Sequence, residues 1–440
     1  MKRRTLRTLP LLAALAALPL AGCVNDQQLD RIAGPELGGD LFRRYVALGN
    51  SITAGFQSAG INDSTQIRAY PVLLARQANA PFYVPLLNRP GCPPPFTTPF
   101  GPVRVGDQPG QSAPACSLRA NQAPGTVQNL AVPGAQIADA LNSLRSTDAT
   151  STFNRLQTFF LGGRSQVQAM VDAQPTLVSA WLGNNDALGA ALSGNLAALT
   201  PLADFNASLD ALVAAIRTTP AADRAVLIGP VNANVVPLLQ PGAFFFLARD
   251  PVTGRFQGKP VNPNCSPVDL LGQPNPLSRS LISFEMVGNA SFPEINCADD
   301  AYPAGDPRRG AFVLSVQEQG VLAQRVTEYN AATEQRAAAN GWVYLNPNTL
   351  LAPFLVEKDA QGRYQRIRKC QELATATNAA AFQAAVLNSC PVTGPTAAPN
   401  FFGSLISLDG FHPSSQAHQI IANALATAIN ERYQTRITTR

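Results

Sequence analysis

Charged side chains and histidine are scarce in this sequence. Lysine, arginine, aspartate and glutamate together make up 14% of the 440 residues, well below the roughly 25% that is usual in soluble domains. Hydrophobic residues make up 46%, an ordinary share for a folded chain, so disorder driven by charge is excluded. There are only two histidines and no Cys-x-x-Cys pair, which argues against a metal site.

The excess of positive charge is confined to the start of the chain. The formal net charge is +5, but four basic residues lie within the first seven positions: Lys2, Arg3, Arg4 and Arg7. Without them, 29 basic side chains (33 minus 4) oppose 28 acidic ones, a net charge of +1. No stretch rich in Lys and Arg with interleaved aromatic residues remains, so we expect no nucleic-acid partner.

Residues 1–22 have the three parts of an export signal: a basic start, an apolar run and small residues at the end. The apolar run, residues 9–20, has twelve residues, which is too short for a bilayer core of about 30 Å that needs about 20 residues. We therefore predict that residues 1–22 are a signal peptide.

The end of this segment, Leu20-Ala21-Gly22-Cys23, resembles the lipobox of bacterial lipoproteins. The resemblance implies that Cys23 is acylated and that residues 23–42 tether the protein to a membrane that it does not span. The residue after the cysteine is not the aspartate associated with inner-membrane retention, which favours the outer membrane. The alternative is an ordinary secretory signal that is cut nearby, with Cys23 incidental.

The cysteine count agrees with export. Setting Cys23 aside leaves six of the seven cysteines, and an even number in an exported chain predicts three disulfides. Six cysteines allow 15 pairings, but these six fall into three local couples. The predicted bonds are Cys92–Cys116, Cys265–Cys297 and Cys370–Cys390.

After residue 42, short apolar runs alternate with longer stretches of helical periodicity. Strands are predicted at 44–48, 127–131, 177–182, 225–228 and 342–345. Helices are predicted at 70–78, 164–174, 203–218, 316–340 and 414–433. Several of the strands are continuously apolar, as expected when both faces of a sheet are covered. The alternation predicts an α/β domain over 43–435, with a parallel sheet between helices.

Three stretches rich in Pro, Gly and Asn interrupt the alternation, at about 82–125, 236–312 and 351–404. Each contains one of the cysteine couples, so we interpret them as disulfide-stapled loop insertions in one domain. An independent subdomain at 236–312 is the alternative. The three phenylalanines at 244–246 either line an acyl site or pack the core of the insertion itself.

A serine follows the first predicted strand, in Gly49-Asn50-Ser51-Ile52. A strand-to-helix turn places such a serine at the carboxyl edge of a parallel sheet, where α/β proteins hold their functional sites. Taken alone, a serine in a glycine-rich turn is more often a helix N-cap.

The two histidines are the only candidates for a base. Asp409 lies three residues before His412, so its carboxylate can accept from Nδ1–H and leave Nε2 free to take a proton from a serine. Pro413 suits the first turn of the following helix and would hold His412 just outside it. His418 has no acidic neighbour in the sequence, and we interpret it as a partly buried or surface histidine within that helix.

Two further turns can supply hydrogen-bond donors. Gly183-Asn184-Asn185-Asp186 follows a predicted strand, and its amide side chains can donate to an oxyanion. The alternative is a Gly/Asn turn in which the aspartate caps the next segment. Gly134, after the second predicted strand, offers a backbone N–H for the same purpose.

Together these stretches resemble the blocks of the SGNH hydrolases, the GDSL family of esterases and lipases. The matching stretches are Gly49-Asn50-Ser51-Ile52 (Gly-Asp-Ser-Leu in the family), Asn129 with Gly134-Ala135, Gly183-Asn184-Asn185-Asp186 (Gly-x-Asn-Asp) and Asp409-Gly410-Phe411-His412 (Asp-x-x-His). They occur in the family's order and span nearly all of the mature chain. Asn50 replaces the family's aspartate and Ile52 its leucine, but neither side chain transfers a proton.

The resemblance implies a three-layer α/β/α domain with a five-stranded parallel, flavodoxin-like sheet. It also implies ester hydrolysis through an acyl-enzyme, with Ser51 as the nucleophile, His412 as the base and Asp409 orienting the imidazole. The N–H groups of Ser51 and Gly134 and the amide of Asn185 would form the oxyanion hole. No metal or organic cofactor is required.

Two other functions compete with this one. A non-catalytic surface lipoprotein could use the insertions to bind a partner, but one of only two histidines then lies in the Asp-x-x-His block without a reason. A carbohydrate O-deacetylase of the same fold would differ in the size and polarity of its pocket. The expected partners are a small-molecule, lipid or glycan ester and, through the lipid anchor, a membrane.

Overall fold

The computed structural model describes residues 38–440 with several gaps. The gaps are residues 100, 102, 113–114, 119–125, 143–151, 371–377, 379, 382–383, 386–389 and 391–400. The side chains of residues 152–154 are also outside the description. The predicted signal peptide, Cys23 and most of the tether therefore lie outside the described residues.

A parallel sheet lies at the centre of the domain. The strands of the described chain are β1 Tyr45–Gly49, β2 Leu177–Trp181, β3 Ala225–Ile228, β4 Leu239–Pro241, β5 Arg255–Phe256, β6 Lys259–Pro260, β7 Leu281–Ser283, β8 Val313–Leu314 and β9 Val343–Leu345. The central sheet has the order β1-β2-β3-β9, with every pair parallel. Gly49, Trp181, Ile228 and Leu345 are paired side by side at the carboxyl ends, so the loops that follow these strands meet at one edge.

Helices occupy the stretches between the strands. Their bounds are α1 Ser51–Ala54, α2 Asp63–Gln66, α3 Tyr70–Gln77, α4 Thr152–Leu161, α5 Gln166–Ala173, α6 Asn185–Ser193, α7 Leu202–Arg217, α8 Gly242–Leu247, α9 Glu285–Gly288, α10 Val316–Ala339, α11 Pro347–Val356 and α12 Ser415–Tyr433. α5 and α10 each begin at a reciprocal capping box, formed by Ser165 with Gln168 and by Ser315 with Glu318. These side chains satisfy backbone groups that the first helical turn leaves unpaired.

The two faces of the sheet are buried under different helices. Val46 and Leu48 of β1 pack in one core with α5, α7 and α10, whereas Tyr45 and Ala47 pack in another with α3 and α12. Because side chains alternate between the two faces of a strand, each strand contributes to both cores, which explains the continuously apolar runs. The domain is a three-layer α/β/α structure, as predicted.

The second predicted strand, at 127–131, is not a regular strand in the structure. The segment runs parallel to β1 but forms only one bridge, between Ala47 and Asn129. The side chain of Gln128 donates to the Tyr45 carbonyl at 2.9 Å and so replaces part of the backbone ladder. The regular sheet therefore has four strands instead of five. With this segment beside β1, the order along the sheet is still the flavodoxin-like 2-1-3-4-5.

The other predicted strands and helices agree with the structure to within two residues at each end. The sequence prediction missed the helices α4, α6 and α11, the short helices α1, α2, α8 and α9, and the short strands β4–β8. α6 begins inside the polar turn at 183–186, and α11 carries an internal proline, Pro353. Both features weaken the local signals from which a helix is predicted.

The middle and third insertions share a core of their own. β4, β7 and β8 form a small antiparallel sheet. Phe244 and Phe245 pack with Phe256 and Phe284 at ring-centroid separations of 5.1–6.1 Å, and Phe402 joins them from the third insertion. These phenylalanines therefore pack the core of the insertions and do not line an acyl site.

All three predicted disulfides are confirmed. The bonded pairs are Cys92–Cys116, Cys265–Cys297 and Cys370–Cys390. Each bond joins two cysteines within one insertion, as the local couples predicted. Disulfides of this kind are typical of exported proteins.

One stretch of the described chain, Leu196–Arg217, is long and apolar enough to cross a membrane by length and composition. It includes α7, where Phe205, Leu209 and Ile216 are buried in the core beside the sheet. The charged residue Asp210 of α7 pairs instead with Arg336 at the surface. This amphipathic arrangement is that of a core helix.

Two glycines differ sharply in the space around them, and we expect opposite effects from replacing them. A Cβ on Gly229, directly after β3, would lie 2.0 Å from Oδ1 of Asn330 and 2.8 Å from the Tyr344 hydroxyl. Gly229→Ala should lower the free energy of unfolding by about 1–3 kcal/mol through overpacking. Gly320, exposed within α10, has no atom within 4 Å of the Cβ position. Gly320→Ala should raise that free energy by about 0.5–1 kcal/mol, and urea denaturation of both variants would measure the difference.

Candidate active site

Ser51 lies in the turn between β1 and α1. β1 ends at Gly49, and Asn50 caps α1 by accepting a hydrogen bond from the N–H of Ile52 at 3.1 Å. Ser51 is the first helical residue and is 9% exposed. Because Asn50 provides the cap, the alternative interpretation of Ser51 as the N-cap is wrong.

Two side chains, those of Gln166 and Thr53, restrict the backbone at Gly49, where β1 ends. Gln166 of α5 binds both polar groups of Gly49: Oε1 accepts from the N–H at 2.9 Å, and Nε2 donates to the carbonyl at 3.0 Å. A Cβ on Gly49 would lie 2.1 Å from Oγ1 of Thr53, so only glycine fits there. These contacts fix the position from which Ser51 projects.

His412 and Asp409 form a buried pair. Nδ1 of His412 lies 2.8 Å from Oδ2 of Asp409. Because a carboxylate only accepts hydrogen bonds, Nδ1 carries the proton and Nε2 is the basic nitrogen of the neutral ring. Nε2 is buried and has no hydrogen-bond partner within the described part of the chain. The imidazole also contacts the rings of Phe56 and Phe411, at centroid separations of 4.9 and 4.1 Å.

The carboxylate of Asp409 accepts several hydrogen bonds besides that of the imidazole. Oδ1 accepts from the Ser407 hydroxyl at 3.0 Å and from the N–H groups of Phe411 and His412 at 3.1 and 2.9 Å. Oδ2 also accepts from the N–H of Ala59 at 2.6 Å. Burial by itself raises the pKa of Asp409, but the charge and hydrogen bonds of His412 hold that pKa below its ordinary value. Asp409 therefore remains ionised.

The loop after α1 docks directly on the loop that carries Asp409. Ser58 and Ala59 are both in the left-handed conformation, with φ of 54° and 52°, which is costly for residues other than glycine. The N–H of Ser58 donates to the Ser407 hydroxyl at 2.9 Å, and the N–H of Leu408 donates to the Ser58 hydroxyl at 3.2 Å. This docking joins the serine turn to the histidine loop.

Asn185 and Asp186 hold the loop that follows the irregular segment at 127–131. Asn185 begins α6, and its Nδ2 donates to the Ala135 carbonyl at 2.9 Å. Oδ2 of Asp186 accepts from the N–H of Ile137 at 3.0 Å. Burial raises the pKa of Asp186 to about 6, although that N–H lowers it in part. Gly134 precedes these contacts in a turn with φ of 76°, a value that favours glycine.

One cavity unites most of the predicted site residues. It has a volume of about 840 Å³ including its open mouth, and Ser51, Asn185 and His412 all line it. Asp409 lies behind His412, away from the wall. Gly134 is not among the residues that line the cavity, so this predicted oxyanion donor is not brought to the wall with the others.

Two expectations about the histidine region are wrong in detail. α12 begins at Ser415 with Ser414 as its cap, so Pro413 precedes the helix and is not part of its first turn. His418 is fully buried, and its Nδ1 accepts from the N–H of Tyr70 at 3.2 Å. Burial, with a smaller effect of His412, lowers the pKa of His418 to about 3. His418 is buried because it lies on the face of α12 that packs against α3.

Several groups that shape the site were not predicted from the sequence. Ser407 binds Asp409, Gln166 clamps the start of the serine turn, and Ala59 donates to Asp409. Ser407 lies only two residues from Asp409, and that proximity was an available signal. Gln166 and Ala59 lie far from their partners in the sequence, and no local pattern indicates them.

Comparison with protein-family models and with curated protein sequences gives no match. The chain is similar to solved structures of lipases and acylhydrolases. These are an extracellular lipase of Streptomyces rimosus (15% identity, 87% of this chain and 98% of that one, TM-score 0.32), a phospholipase A1 of Streptomyces albidoflavus NA297 (13%, 88% and 98%, 0.31) and a lipase/acylhydrolase of Enterococcus faecalis (12%, 90% and 100%, 0.32). At TM-scores of this size the likeness adds nothing to the fold and site described above.

The two histidines should separate by stability and activity. Unfolded His418 binds a proton below its ordinary pKa near 6.5, whereas the buried ring stays neutral down to about pH 3. The free energy of unfolding should therefore fall as the pH drops from 6.5 towards 3. His418→Asn, which keeps an acceptor for Tyr70, should reduce this acid sensitivity in urea denaturation and retain any activity that depends on Ser51. Loss of that activity would show that the base has been assigned to the wrong histidine.

Proposed function

We propose that this protein is a serine hydrolase that cleaves carboxylic esters through an acyl-enzyme. The observation that carries the proposal is the buried Asp409–His412 pair. Nε2 of His412 has no hydrogen-bond partner among the described residues, and His412 lies on the same cavity wall as Ser51. A nucleophile, a base and a group that orients the base are the parts that acyl transfer requires. The four blocks that resemble the SGNH hydrolases support the same chemistry.

In the first half of the reaction, Oγ of Ser51 attacks the ester carbonyl and Nε2 of His412 takes the hydroxyl proton. Asp409 stabilises the imidazolium that forms, because its carboxylate stays ionised beside Nδ1–H. The tetrahedral intermediate then collapses, the bond to the alkoxy oxygen breaks, and His412 returns the proton to the departing alcohol. Water, activated by the same nitrogen, hydrolyses the acyl-serine in the second half.

The oxyanion needs donors on the wall of the cavity. An amide nitrogen carries two N–H groups, and Asn185 uses one of them to hold the Ala135 carbonyl. We assign its other N–H to the oxyanion, together with the backbone N–H of Ser51. Gly134, the third donor predicted from the sequence, does not line the cavity, and we do not assign it to the oxyanion. The chemistry calls on no metal or organic cofactor.

The apolar cavity favours this function over its two competitors. A carbohydrate O-deacetylase needs polar side chains that bind sugar hydroxyl groups, and the described wall offers few of them beyond the site residues. A binding module has no use for a buried histidine with an ionised partner and an unpaired nitrogen. Burying such a pair costs free energy, and ester hydrolysis uses the pair whereas binding a partner does not.

Replacement of each proposed catalytic residue tests the function. Ser51→Ala and His412→Ala should lower kcat for p-nitrophenyl butyrate by about 10⁴-fold or more, because the members of such a triad act as a unit. Asp409→Asn should lower it by about 10³–10⁴-fold, because the amide no longer fixes the tautomer of the imidazole. Circular dichroism would establish that each variant is folded. Equal turnover by folded wild type and Ser51→Ala would exclude a serine mechanism.

We also propose that the protein is exported and held at a membrane by lipid on Cys23. The three disulfides support export, and the Leu-Ala-Gly-Cys ending supports the anchor. Cys23→Ala should move the protein from the membrane fraction to the soluble fraction of cells, because the acyl chains are its attachment. Mass spectrometry of the mature N-terminus checks the modification. An unmodified cysteine within a soluble mature protein would contradict the anchor.

A further inference from the structure

The cavity beside Ser51 is apolar and uncharged. Among the 21 described residues that line it, sixteen are apolar, and none is Asp, Glu, Lys or Arg. The five polar residues are Asn50, Ser51, Asn184, Asn185 and His412. All five belong to the turns after β1 and β2 or to the histidine loop, so the polar groups gather at the end where the ester would react. The rest of the wall offers no partner to a hydroxyl or a charge, and such groups lose hydrogen bonds on entering it.

The insertions supply part of the apolar wall. Residues 235–237, where the middle insertion begins, line the cavity on one side. Leu351 and Ile367 of the third insertion, with Leu405 just after it, line the cavity as well. The proposed catalytic residues thus come from the core fold, whereas the insertions add apolar residues to the wall of the same cavity.

Backbone bonds connect the third insertion to the histidine loop. Ile406 forms a bridge with Pro413, the residue after the proposed base. The N–H of Leu405 donates to the Arg366 carbonyl at 2.9 Å. Ile367 therefore lies beside the segment of Leu405, and the two residues form one small buried cluster against which Leu351 packs.

Lys369 joins this wall to the middle insertion. Its side chain is buried, and Nζ donates to the carbonyls of Val236 and Leu239. The N–H of Cys370 donates to Oε1 of Gln240 at 3.1 Å, next to the disulfide of the third insertion. These hydrogen bonds hold the two insertions together beside the cavity, so the residues that they contribute to its wall are fixed in position.

We propose that this cavity binds the acyl group of the substrate as an unbranched aliphatic chain, and that Leu351 and Ile367 limit its length. The inference rests on the proposed function and names its substrate class. The carbonyl carbon lies at the polar end beside Ser51, and the chain extends along the wall that the insertions provide. Esters of medium-chain fatty acids fit this wall, whereas an acetyl group leaves most of it empty.

The gain from filling the wall sets the size of the expected effect. Burying one methylene group in an apolar site changes an equilibrium or rate by up to about fourfold. A chain of eight carbons places six more methylene groups in the cavity than an acetyl group does. We therefore expect kcat/KM to rise at least about tenfold from acetyl to octanoyl, even if only some of these groups are fully buried.

The first experiment is a p-nitrophenyl ester series from acetyl to palmitoyl. Residues 24–440 of wild type and Ser51→Ala would be compared in the presence of intact disulfides, and acetylated xylan would be included as a glycan ester. The expected result is Ser51-dependent turnover with an optimum at medium chain length and little release of acetate from xylan. A preference for acetyl esters or for the glycan would overturn the inference.

Variants of the wall test the two limiting residues in opposite directions. Leu351→Trp should lower kcat/KM for the octanoyl ester about tenfold or more relative to that for the acetyl ester, because the added ring shortens the cavity. Ile367→Ala should move the optimum to longer chains. Leu355→Trp is the matched control, since Leu355 lies in the same helix α11 and is also half-buried but does not line the cavity.

The possible outcomes separate this inference from the proposed function. Absence of Ser51-dependent turnover on every ester, acetyl included, would reject the function. Turnover that depends on Ser51 but responds equally to Leu351→Trp and Leu355→Trp would reject the acyl site and leave the function standing. A folded Ile367→Ala variant with the chain-length optimum of the wild type would also contradict the assignment of the length limit.

Discussion

The rest of the site depends on the hydrogen bonds that keep the buried carboxylate of Asp409 ionised. A carboxylate in a buried position is costly and would take up a proton without compensation. Here two oxygens accept hydrogen bonds from the imidazole of His412, a serine hydroxyl and three backbone N–H groups. One of these N–H groups belongs to Ala59, in the loop after the serine turn. The carboxylate of Asp409 thus orients the proposed base and also joins the first and last parts of the domain.

The parallel sheet determines where these groups meet. Its strands end in register, so the polar turn after β1, the turn after β2 and the histidine loop lie at one edge. Several polar side chains there also have structural bonds: Asn50 caps α1, and Asn185 holds the Ala135 carbonyl. Groups already held by the fold cost little further ordering when a substrate arrives, which is the physical basis of preorganised catalysis.

The insertions have a role beyond decoration. Two of them share an aromatic core, cross-linked by disulfides, and are joined through the buried Lys369. Burial lowers the pKa of this lysine to about 7, because apolar surroundings disfavour the charged ammonium group. The hydrogen bonds from Nζ to two backbone carbonyls compensate for this burial. The insertions thus add apolar residues to a cavity whose polar groups come from the turns after β1 and β2 and from the histidine loop.

The sequence by itself determined features that depend on near neighbours: the strand and helix alternation, the three disulfide couples, and the pairing of Asp409 with His412, which lie three residues apart. The tertiary structure decided the rest. Ser51 and His412 come from opposite ends of the chain, and only the packing of the whole domain puts them on one cavity. The segment at 127–131 is irregular, and Gly134 does not line the cavity. Neither feature was predicted, because side-chain hydrogen bonds and loop packing leave no local signature in the sequence. The apolar wall could not be predicted from the sequence either, since its residues come from segments whose contacts are set by distant parts of the chain.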